Sequence, residues 1–168
     1  GKRYIKPILP KQIDNPALQR LDAVINNKII SLVLLCVLLI GSIIAQLTST
    51  YSIYIQHAFP QLGIKAVSIL FIINSLIIVF CQTPFVSLFK NYNTILMIGV
   101  GSFLIGIGMS ILGLSSVFIF AISSCVVYTL GEMIFFPMAQ FVCYQKGAEM
   151  KKGYSLGIFR MVYATSRV

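Results

Sequence analysis

Three long stretches of this chain contain no Asp, Glu, Lys or Arg: residues 29–64, 66–89 and 91–131. A water-soluble domain cannot be built that way, because its surface must carry charge along every element that meets solvent. The whole chain of 168 residues holds 13 Lys or Arg and 4 Asp or Glu, against 58% hydrophobic residues. Its mean hydropathy is +0.92. These values exclude a soluble globule, and they exclude a disordered chain, which needs low hydrophobicity and high charge. The net charge of +9 does not indicate nucleic-acid binding. Lys2, Arg3, Lys6, Lys11, Arg20 and Lys28 all precede the first apolar stretch, and most remaining cations flank others. That is how membrane proteins place cations.

Crossing the hydrocarbon takes about 20 helical residues. Four segments qualify, residues 29–56, 66–89, 94–114 and 116–143. A fifth begins near Gly153 and runs to Val168, reaching about 24 Å at helical rise, short of a full crossing. The apolar runs do not alternate, so a strand barrel is disfavoured, and in lipid only a helix then satisfies the backbone. The expected fold is all-α: a polytopic transmembrane bundle of four full spans and a truncated fifth (residues 29–168), behind a basic leader (residues 1–28). The leader is polar, contains Pro7, Pro10 and Pro16, and has no signal-peptide core. Gly1 in place of an initiator Met reads as a chain that begins inside a longer protein.

The connections orient the bundle. The leader, Lys90, and Lys146, Lys151 and Lys152 fall on one side, ten cations in all. The opposite side has Lys65 alone. This bias predicts a cytoplasmic N-terminus in a plasma (inner) membrane.

Few polar residues interrupt the spans. Ser42, Gln46, Thr50 and Tyr54 recur every four residues on one stripe of the first span. They serve either as interhelical hydrogen-bond groups or as the wall of a substrate cavity. Asn74 and Gln82 share one face of the second span, with Pro84 following, and the same two roles are open to them. In the third span Gly99, Ser102, Gly106, Ser110 and Gly113 form a small-residue face, read as a site of close helix approach. Ser124, Tyr128, Glu132 and Gln140 form a stripe on the fourth. Glu132 is the only acid within a span, and an acid there is functional by default, either protonated or paired. Arg160 is the partner within reach, about 12 Å in from Lys152; the plain alternative is that it snorkels to the interface. Arg167 shares its face at i+7. Cys36, Cys81, Cys125 and Cys143 are scattered through apolar runs and read as buried hydrophobes. One histidine, His57, and four acids give no metal set and no catalytic triad, so neither cofactor nor metal is expected, and the chain is not expected to be an enzyme.

The segment Gly131-Glu132-Met133-Ile134-Phe135-Phe136-Pro137, followed by Lys152-Gly153-Tyr154-Ser155-Leu156-Gly157, resembles the tenth helix and the entry to the eleventh in the major facilitator superfamily. The drug-exporter-like branch is the most similar, though Ser155 stands where an aromatic residue is usual. Asn74 with Gln82-Thr83-Pro84 is similar to that family's eighth helix, and the leader to the loop between its halves. The resemblance covers nearly the whole chain. It implies helices seven to ten and part of eleven of a secondary transporter for a small organic solute, often driven by protons, with an N-terminal half as partner. Gln46, Thr50, Tyr54, Asn74, Gln82 and Tyr128 are then the cavity candidates, and Glu132 and Arg160 the coupling or ion-pair candidates. The competing expectation is a remnant membrane protein that acts only as an interaction module.

Overall fold

A computed structural model describes residues 27–89, 91–113, 117–146 and 152–167. Residues 1–26 of the basic leader and residues 114–116 lie outside the described residues. Among the described residues every regular element is helical. Four helical segments are long and apolar enough to cross a membrane: Lys28–Ala58, Ile64–Leu88, Thr94–Gly113 and Phe118–Lys146. The protein is therefore an all-α helical bundle of membrane-spanning type.

Helix α1 (Lys28–Ala45) starts where Asn27 caps it, its side chain accepting from the backbone N–H of Ile29 and Ile30. The sequence reads this span as continuous, but the structure breaks it. A 3₁₀ turn at Gln46–Thr48 and Ser49 at φ −117°, ψ −90° separate α1 from α2 (Thr50–Ala58). The cause is local. Thr48, Ser49 and Thr50 follow one another, and short hydroxyl side chains favour helix ends over helix interiors. The Ser52 hydroxyl then donates to the Leu47 carbonyl at 3.1 Å, satisfying a backbone group at the break.

After α2, Gly63 takes φ +52°, a conformation open to glycine, and the chain reverses into α3 (Ile64–Leu88). Asn93 caps α4 (Thr94–Gly113) through the N–H groups of Ile95 and Leu96. The longest helix, α5 (Phe118–Lys146), is the axis of the bundle; α4, α3, α1 and α6 (Lys152–Thr165) all pack on it. At the far end Phe59 and Phe118 meet edge to face, centroids 5.3 Å apart. The outward surface is oily, with Leu32, Leu35, Val79, Phe80 and Phe103 all exposed, as a lipid-facing surface requires.

The expectation for α4 needs correcting. The spacing predicts that Gly99, Gly106 and Gly113 face a neighbouring helix, yet a Cβ on any of them would meet open space. The tight seam runs along the other side. A Cβ on Gly101 would lie 2.8 Å from the Phe135 backbone N, and one on Gly108 2.6 Å from that of Tyr128. On α5, a Cβ on Gly131 would lie 2.8 Å from the Gly101 carbonyl. The Ser124 hydroxyl donates across the seam to the Gly108 carbonyl at 2.6 Å. Large residues at Met97, Ile98, Ile105 and Leu112 share this face and fill the space between the glycine contacts.

Candidate solute cavity

On the opposite side of α5 the packing opens. A cavity of about 290 Å³ is walled by Ile44 and Leu47 at the break after α1, by Phe71, Asn74, Ile78 and Gln82 of α3, and by Tyr128, Glu132, Met133 and Phe136 of α5. Tyr163 and Arg167, in α6 and just past its end, complete the wall. Thus Asn74 and Gln82 from one span, and Tyr128 and Glu132 from another, come together in one space.

Glu132 sits at the polar centre of this cavity. Asn74 and Arg167 line the same cavity as its carboxyl group. The Asn74 amide also donates to the Thr129 hydroxyl at 2.8 Å, and Thr129 donates to the Cys125 carbonyl at 2.6 Å. Cys125 donates its thiol proton to the Leu70 carbonyl at 3.3 Å, and its sulfur lies 3.4 Å from the Tyr128 hydroxyl. A polar chain therefore leads from Asn74, in the cavity wall, into the bundle. Behind it stands Tyr51, 4% exposed and edge-on to Tyr128 with centroids 6.3 Å apart. Among the described residues its hydroxyl has no hydrogen-bond partner.

The register of α6 against α5 decides which arginine serves Glu132. The Ser155 hydroxyl donates to the Cys143 carbonyl at 2.8 Å, which levels the two antiparallel helices at that point. Twelve residues along each, about 18 Å at helical rise, bring Arg167 level with Gly131. Arg160 stops at the level of Met138, about 9 Å short of Glu132 along the axis. It lines a neighbouring notch instead. Gly41 of α1 allows the end of α6 to come this close: a Cβ there would lie 2.8 Å from the Ser166 Cβ. Arg167 also lies over the Tyr163 ring, 5.4 Å from its centroid.

Gln46, Thr50 and Tyr54 lie outside the cavity, on an exposed face of the described bundle. Ser42, on the same stripe, spends its hydroxyl on its own Leu38 carbonyl. Only Tyr54 of this group reaches another helix, donating to the Leu112 carbonyl at 3.3 Å. The buried face of α2 carries Tyr51 and Ile55. Ser124 departs from its stripe-mates as well, turned to α4, while Gln140 lines the notch with Arg160. Thr129 and Tyr51 were not singled out from sequence. Thr129 had a signal, lying three residues before Glu132. Tyr51 had none, because its burial depends on the break at residues 46–48. Among the described residues no three His, Cys, Asp or Glu side chains gather to hold a metal ion.

No family model, no curated protein and no solved structure matches this chain.

Proposed function

We propose that the chain is part of a secondary active transporter that moves a small organic solute, with proton-coupled efflux as its mode. The observation that supports this reading is the meeting of Glu132, Asn74, Gln82, Tyr128 and Arg167 around one cavity in an otherwise oily bundle. A carboxylic acid held at membrane depth beside a cation is a group that can exchange a proton as its surroundings change. The break at Gln46–Thr48 adds support, since interrupted helices border the midplane sites of transporters. On this reading the chain corresponds to helices seven to ten and part of eleven of a major-facilitator-type protein, and an N-terminal half closes the cavity from the other side. The N-terminus lies in the cytoplasm and the membrane is the plasma (inner) membrane, as the cation bias of the connections argues.

The test is flux. The longer protein, reconstituted in vesicles, is expected to move solute when a proton gradient is imposed. Glu132→Gln is expected to abolish this flux while membrane expression stays at the parent level. Full flux in that variant would remove Glu132 from coupling and binding. Absence of flux from the parent protein would favour an interaction module, for which the exposed stripe of Gln46, Thr50 and Tyr54 offers a surface.

A further inference from the structure

Arg160, Tyr163, Ala164 and Arg167 stand at i, i+3, i+4 and i+7, so α6 presents two guanidinium groups along one stripe. Arg167 shares a cavity wall with Glu132 and lies over the Tyr163 ring. Arg160 has no such match. It opens onto a notch of about 560 Å³ shared with Phe136, Gln140, Phe159, Tyr163 and Ala164, none of them acidic. Glu132 is the only carboxylate side chain among the described residues, so the stripe is left with one cation too many. Phe136 and Tyr163 belong to the walls of both the notch and the inner cavity, and their rings meet edge to face with centroids 4.9 Å apart.

Arg160 is exposed on the notch, and among the described residues no acidic side chain lines it, so its guanidinium is open to an anion. Arginine is the side chain best shaped to grip a carboxylate, through two parallel N–H donors. Gln140 adds a further amide donor beside it, and the three aromatic rings offer an apolar wall for a flat organic body. We infer that this notch is the entry subsite for an amphipathic organic anion, its carboxylate on Arg160 and Gln140 and its ring system against Phe136 and Phe159. This rests on the solute-cavity reading above and names its substrate class. The shared Phe136–Tyr163 pair is then the partition between this subsite and the cavity that holds Glu132.

The experiment uses the full chain, purified in a neutral maltoside detergent, with 2-naphthoate and its uncharged counterpart 2-naphthamide as probes in equilibrium dialysis. The naphthoate is expected to bind about tenfold tighter than the amide, the usual scale of a charge-assisted pair. Arg160→Gln should erase that preference while leaving amide affinity within about twofold, which also reports that the fold persists. Arg160→Lys should keep part of the preference, losing the bidentate grip but not the charge. Equal binding of the two probes would discard the anion class and leave a solute cavity standing. Binding of neither probe would overturn both readings. A last arm uses nanodiscs of phosphatidylcholine with and without phosphatidylglycerol. Naphthoate affinity that survives the anionic lipid supports a solute site; displacement by it would overturn the proposal in favour of a lipid-headgroup site.

Discussion

Helix α5 packs two ways. Toward α4 it forms a dry seam, where Gly101, Gly108 and Gly131 let backbones touch and Ser124 ties one carbonyl across. Toward α3 and α6 it forms a polar cavity, where Glu132 and Tyr128 face Asn74, Gln82 and Arg167. Lipid offers no hydrophobic drive for helices to associate, so cohesion must come from close packing and hydrogen bonds. The seam relies on close packing with a single side-chain hydrogen bond described across it, and the cavity side gathers most of the polar groups. The lesson is a division of labour: the seam keeps α4 and α5 as one unit, which lets the cavity side stay loose and polar.

The comparison breaks first at the seam. Gly108→Ala would push a methyl group into the Tyr128 backbone and is expected to cost about 3 kcal/mol, measured by thermal unfolding in detergent. A cost below the scatter of surface substitutions would mean that α4 and α5 do not touch there. Ser124→Ala removes a buried bond across the same seam, and a loss of about 1 kcal/mol should follow in the same assay. Behind the cavity the sign reverses. Tyr51→Phe deletes a buried hydroxyl that has no partner among the described residues and is expected to raise stability by about 1 kcal/mol. A loss instead would show that this hydroxyl is held by something the bundle binds. The smallest effect belongs to Gly106→Ala, which fills open space and should stay within about 0.5 kcal/mol of the parent.

Much of this arrangement can be read from residues alone. Spans and their order follow from the charge-free stretches, and the lone intramembrane acid marks the polar centre. Asn74, Gln82 and Tyr128 follow too, because a polar side chain in a span has few places to go. The glycine face does not. Spacing by three and four identifies a stripe of small residues, but α4 has two such stripes, and only the neighbouring helix decides which one it meets. The break at residues 46–48 is likewise hidden, since Thr48, Ser49 and Thr50 also occur within intact membrane helices. The choice of Arg167 over Arg160 turns on a register fixed by one hydroxyl, that of Ser155, at the other end of α6. Depth counted from Lys152 could not supply it.

Thiol labelling tests the central claim, that polar groups gather around a water-accessible cavity while the glycine stripe of α4 faces lipid. The background carries Cys36→Ala and Cys81→Ala and keeps the buried Cys125 and Cys143. Single cysteines replace Ile78 and Gln82 in the cavity wall, and Gly99 and Gly106 on the stripe. In vesicles, a charged, water-soluble maleimide should modify the first pair and spare the second. Equal labelling of all four, or labelling of the stripe alone, would contradict the account.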